Sequence, residues 1–133
     1  MKIGELAKRT GLSGHTIRYY ERIGLLPHAQ RDRSNQRDYD AAILDWIAFL
    51  GRLKTTGMAI REMLAYARLR AAGAATAPER RALLERHRAG VRRRVAELQA
   101  SLLVLDQKIA GYASATEDEP RHDQRQKAKQ RQV

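Results

Sequence analysis

The sequence has no cysteine in its 133 residues. Disulfides, thiolate metal sites and thiol-based redox sensing are thereby excluded. Proline and glycine are few, three and nine respectively, which leaves little room for long irregular loops. No apolar run comes near the ~18–20 residues that a membrane-spanning helix needs. Lys2 is not followed by the apolar stretch and small residues of a secretory signal, so a cytoplasmic protein with no membrane partner is expected. Also missing are a nucleophile–base pair, a phosphate-binding glycine loop and a ligand cluster. His15, His28, His87 and His122 share no metal-ligand spacing, so neither an enzyme, a metal site nor a cofactor is expected.

Acidic residues are outnumbered, 15 against 26 Lys+Arg, for a net charge of +11, and 20 of the basic residues are arginine. Arginine offers forked contacts to phosphate and guanine, so a polyanion, above all nucleic acid, is the expected partner. The length supports one modest core plus an extended element.

The strongest local signal is TIRYYERIGLL, from Thr16 to Leu26. It puts Arg18, Tyr19 and Tyr20 on about one helical turn, with Ile17 and Ile23 able to anchor the opposite side. Before it, Ile3, Leu6 and Ala7 mark one face of a helix over residues 3–10, which Gly11 can end in a left-handed conformation. Ser13 can cap the second helix and Gly24 stop it near Ile23. Two short helices joined by a tight turn make a helix-turn-helix over residues 3–23. Pro27 breaks the pattern, and residues 30–39 read as a hairpin with Ser34 and Asn35 at its tip. Alternation then puts Arg31 and Arg33 on one face of its first strand, and Arg37 and Tyr39 on one face of its second. Asp40 can cap a third helix from Ala41 to about Lys54, Gly57 ends it, and a fourth follows over 59–71.

Thr76 and Glu79 have capping-box spacing around Pro78, so a new helix is expected there. From Val95 onward, Val95, Leu98, Leu102, Leu105, Ile109 and Tyr112 step by three and four in alternation, a heptad seam that Leu84, His87 and Val91 extend less regularly. No second helix of comparable length can pair with it, which points to the same helix of another copy and a homodimer. Residues 116–133 mix charge with glutamine and read as a disordered tail.

The order of helix-turn-helix, basic hairpin, helix pair and long terminal helix resembles the MerR-type family of bacterial transcription regulators, most closely in KIGELAKRTGLSGHTIRYYERIGLLPHAQRDRSNQRDYD, residues 2–40. The resemblance implies a mainly α fold: a winged helix-turn-helix domain with a small β-hairpin wing over residues 1–75, then a coiled-coil dimerisation helix over 76–115. It also implies an antiparallel dimer on near-palindromic double-stranded promoter DNA, with RNA polymerase as a further partner once the DNA is bent and untwisted. In the recognition helix it implies that Arg18, Tyr19 and Tyr20 contact bases or phosphates. Neighbours on a helix diverge by about 100°, so Tyr19 is expected outward and Tyr20 partly in the core. His15 and Thr16 stand at the end of that helix that meets bases. In the wing, Arg33, Arg37, Tyr39 and Arg31 match backbone-contacting positions; Arg52 and Lys54 at the end of the third helix are further candidates.

WIAFLGRLKTTGMAIREML, residues 46–64, looks most like an aldehyde- or stress-responsive branch of the family, but Arg52 or its neighbour takes the place of that branch's cysteine. A noncovalent effector, a regulatory partner or constitutive occupancy remain, and a pocket could form near Tyr66, Arg52 and His87. The rival reading for such a basic chain is an architectural protein that binds nucleic acid without sequence preference.

Overall fold

A computed structural model of the chain describes residues 1–117. The tail expected from residue 116 lies outside the described residues from 118 onward, and 116 and 117 close the last helix.

Helix α1, Ile3–Thr10, ends where Gly11 adopts φ 75° and donates its N–H to the Ala7 carbonyl. Helix α2, Gly14–Ile23, starts on the Ser13 side chain, which accepts the Thr16 N–H at 3.0 Å, and stops at Gly24, φ 88°. Both stops use left-handed conformations that cost glycine least. The two helices close on Leu6 and Ile17, each fully buried.

Strands β1, Gln30–Arg31, and β2, Arg37–Asp38, pair antiparallel with Arg31 opposite Arg37. The turn runs Asp32–Asn35, closed by the Asn35 N–H on the Asp32 carbonyl at 3.0 Å, so its centre is Arg33 and Ser34, one residue earlier than expected, with Asn35 left-handed at φ 62°. The Asp32 carboxylate organises it, accepting the Ser34 and Gln36 N–H groups at 2.8 and 2.9 Å through one oxygen. With the strand ending at Arg31, Arg33 belongs to the tip and not to a strand face shared with Arg31. The Tyr39 N–H donates to the Met1 carbonyl at 2.7 Å, tying the base of the hairpin to the chain start.

Helix α3 spans Ile43–Thr55, two residues later than expected. Asp40 does not cap it: its carboxylate takes the Ala42 N–H at 2.9 Å in a local turn that precedes the helix. Helix α4 spans Ile60–Ala71. A 3-10 turn, Ala74–Thr76, leads into α5, Ala77–Glu117. The Thr76 hydroxyl, expected to cap α5, donates instead to the Leu69 and Gly73 carbonyls and accepts from Arg80 Nε at 3.1 Å. It closes the end of α4 and so is unavailable to α5.

Helix α1 packs on α2 and α3, and α3 on α4. Leu6, Ile17, Leu25 and Leu26 are fully buried, and Trp46 donates its indole N–H to the Leu25 carbonyl at 3.0 Å. Trp46 stacks on Tyr66, centroids 5.8 Å apart, while the Arg70 guanidinium lies 4.3 Å from its ring centre. Compactness does not end at residue 75. The first compact unit runs Met1–Val91, because Leu83 and Leu84 at the start of α5 pack against this core. The second unit begins at Arg92.

Candidate nucleic-acid interface

The segment after Gly24 returns beside α2 because Glu21 holds it. Glu21 is only 6% exposed, and a lone buried carboxylate would be costly. It is instead fully used: one oxygen accepts the Ala29 N–H at 3.2 Å, with His28 Nδ1 at 3.6 Å, and the other accepts Arg37 Nε at 3.1 Å and the Tyr39 hydroxyl at 3.0 Å. Burial alone would push its carboxyl up, but the Ala29 amide, the Tyr39 hydroxyl and the Arg37 guanidinium together hold it below its ordinary value. Burial, and then the bond to Glu21, push the Tyr39 phenol up to about 12. The wing is therefore fastened to the recognition helix through one carboxylate.

Around that anchor lies a groove of about 360 Å³ lined by His15, Arg18, Arg22, His28 and Arg37, with Glu21 at its base. His15, Arg18 and Arg22 follow one another at intervals of three and four residues on one face of α2. Such a concentration of donors suits an anionic backbone, and arginine adds the fork that matches a guanine edge. Tyr19 points outward, 43% exposed, with the Arg22 guanidinium 5.4 Å from its ring centre; Tyr20 is half-buried against the core. Thr16 is half-buried, its hydroxyl accepting from Ser13 at the helix cap.

The remaining candidates separate. Arg31 and Arg33 are exposed on the wing, Arg31 donating to the Asn35 carbonyl at 3.1 Å. Arg52 and Lys54 are exposed on the last turns of α3 and line no part of the groove. Tyr39 is a correction. Alternation rightly puts it on the same face as Arg37, but that face turns inward: Tyr39 is 4% exposed, with its hydroxyl on Glu21, and belongs to the core. Sequence reasoning missed Glu21, Arg22 and His28. The four-residue spacing from Arg18 to Arg22 could have found the arginine. The partners of Glu21 lie 8, 16 and 18 residues downstream, beyond any local pattern.

Along α5 the expected seam divides. Leu84 packs against the core of the first unit and Val91 is half-buried, whereas Leu98, Leu102, Leu105 and Ile109 are 55–65% exposed, with Val95 and Tyr112 also exposed. Tyr66 and His87 do line one cavity, of about 530 Å³, but Arg52 does not. The His87 Nε2 lies 2.7 Å from the Thr56 hydroxyl. Among the described residues no cluster of three or more His, Cys, Asp or Glu could hold a metal, and no helix is long and apolar enough to cross a membrane.

Known proteins match along the same lines. Residues 2–39 match the description "MerR family regulatory protein" and residues 44–108 match "MerR, DNA binding". An uncharacterised HTH-type transcriptional regulator of Haemophilus influenzae is 35% identical over 109 residues, 82% of this chain and 81% of that protein. The fold is similar to that of a MerR family transcriptional regulator from Listeria monocytogenes, with a TM-score of 0.81 and 32% identity over 100% of this chain and 99% of that one. It is also similar to HiNmlR, a MerR family regulator lacking the sensor domain and solved bound to promoter DNA, with a TM-score of 0.75 and 33% identity over 86% of this chain and 91% of that one.

Proposed function

The chain belongs to the MerR family of DNA-binding transcription regulators, and from that premise we propose that it works as a homodimer that reads a pseudo-palindromic promoter site and changes transcription by distorting the DNA. The observation that carries this reading is the groove between α2 and the wing, where five basic side chains surround one buried, fully bonded carboxylate. Arg18 and Arg22 enter the major groove, with His15 and Thr16 at the leading end of α2 and Tyr19 at a phosphate. Arg31, Arg33 and Arg37 hold the backbone from the wing, His28 adds a donor beside them, and Tyr20, Arg52 and Lys54 contribute at the margin.

The exposed apolar stripe from Val95 to Tyr112 supports the dimer, because leucines at seam spacing gain by burial against a second stripe. Two heads at a fixed separation then impose a half-site spacing, and a change in their geometry deforms the DNA at a cost of order a few kcal/mol, enough to realign promoter elements for RNA polymerase. The role is one of binding, not catalysis, in keeping with relatives described as transcriptional regulators. It belongs in the cytoplasm, where the promoter is.

The test is an anisotropy titration at ~0.15 M salt with duplex taken from upstream of the protein's own gene, against a scrambled duplex of the same length. A preference of at least ~10³-fold is expected, together with a footprint of two half-sites about one helical turn or a multiple apart. Equal affinity for both duplexes would favour an architectural, sequence-indifferent binder.

A further inference from the structure

An apolar cavity between α1 and α3 lies apart from the DNA-facing groove and shares no lining residue with it. Its volume of about 540 Å³ falls in the ~300–1,000 Å³ range of small-molecule sites. Ile47, Leu50 and Met63, all buried, form its floor, and the half-buried Leu12, Tyr20 and Leu44 form its walls.

Among the described residues no acidic side chain lines it, and two cations do, Arg9 from α1 and Lys54 from α3. Lys54 makes no ion pair among the described residues. Among the described residues Arg9 pairs only with Glu5, at 3.0 Å on the exposed surface of α1, and such a pair exchanges easily for another anion. An apolar body in the cavity would bury hydrocarbon against hydrocarbon, and an anionic head at its rim would meet both cations.

We propose that this cavity binds a small amphipathic anion, a carboxylate or sulfonate on a short hydrocarbon or aryl body, as a noncovalent effector of the DNA-binding head. The cavity touches α1, α3 and α4, and reaches the recognition helix through Tyr20. An occupant therefore bears on the angle at which α2 is presented, and the DNA bears equally on the occupant, since coupling between two sites is reciprocal. A signal delivered this way needs no thiol, consistent with a chain that has none.

Octanoate is the probe, titrated calorimetrically into the full chain without DNA, beside octanol, octylamine and acetate. Saturable binding is expected for octanoate, about tenfold weaker binding for octanol, and none resolved for octylamine or acetate. Gly51 lines the cavity, and a Cβ there would meet nothing within 4 Å. Gly51→Phe fills the space, and replacing a glycine inside a helix favours the helix. This variant is expected to keep its melting midpoint and its ligand-free operator affinity while losing octanoate binding by at least ~10-fold. In the unaltered chain octanoate is expected to shift operator affinity by about threefold or more, and in Gly51→Phe to leave it unchanged. Octanoate heats that do not saturate, equal binding of octanol and octanoate, or undiminished binding to Gly51→Phe would each overturn the site. Binding that leaves operator affinity untouched would overturn the effector role. Because the ligand is read without DNA, failure of the site leaves the regulator reading standing.

Discussion

The unit Met1–Val91 and the helix beyond Arg92 are built on opposite terms. The first encloses Leu6, Ile17, Leu25 and Leu26 completely and satisfies even its buried carboxylate, Glu21, within itself. The second holds its leucines more than half exposed. A helix is supported mainly by what its apolar face packs against, so the first unit has the means to be stable alone, whereas the second leaves uncovered the stripe that the proposed dimer would bury. In the proposed dimer, reading DNA and setting the spacing between readers are thus separable tasks, and substitutions should separate them.

The sharpest way to break the contrast is Leu102→Asp, which puts a charge in the exposed stripe. Sedimentation should show monomers, and anisotropy should show operator affinity reduced by ~10³-fold or more, the margin between specific and nonspecific binding; a Leu102→Asp chain that still sediments as a dimer would remove the seam assignment. On the other side, Trp46→Ala should cost the head about 3–5 kcal/mol in denaturant melts, since it removes the stacked ring, the bond to Leu25 and the seat of Arg70 together.

Glu21→Gln tests whether one carboxylate fastens wing to helix, at an expected cost of about 1–3 kcal/mol. Its pH signature is directional. The Glu21 carboxyl is held below its ordinary value in the fold, so the stabilisation it gives is complete above the ordinary carboxylate range, ~4–4.5, and disappears as pH falls through the folded value. Gln should flatten that acid limb. Tyr39, raised to about 12, acts in the opposite sense: stability holds below the ordinary tyrosine range, ~10, and declines as pH climbs toward the raised value, a decline that Tyr39→Phe should remove.

Smaller effects sharpen the division within the wing. Arg33→Ala, at the exposed tip, should weaken binding to every duplex alike and reduce the salt slope by about one per head with no change in melting. Arg37→Ala should do the same and also destabilise the fold, because it strips the buried Glu21 of a half-buried partner. Least of all, removing the exposed Arg81–Glu85 pair on α5 should move stability by under ~0.5 kcal/mol.

What the sequence made legible was local. Gly11, Ser13 and Gly24 announce the first two helices because caps act within a few residues, and the seam shows because its period repeats over residues 95–112. Asp40 and Thr76 had the right identity for caps but found other hydrogen bonds, Asp40 with Ala42 and Thr76 with the carbonyls behind it. Such competition among short polar side chains leaves no mark in spacing. The inward face of β2 was hidden for a different reason. Alternation fixes which residues share a face but not which way the face looks, and the decision rested with Glu21, 16 and 18 residues upstream of Arg37 and Tyr39.

Trp46, the one tryptophan of the chain, has an optical consequence. Shielded from water between Tyr66 and Arg70, its indole emission reports on the head, whereas far-ultraviolet dichroism sums the helices of both units, so a dichroism change that the emission does not match belongs to the helix beyond Arg92. One cuvette can therefore follow the two halves of the molecule by two colours of light and show whether they melt together or one after the other.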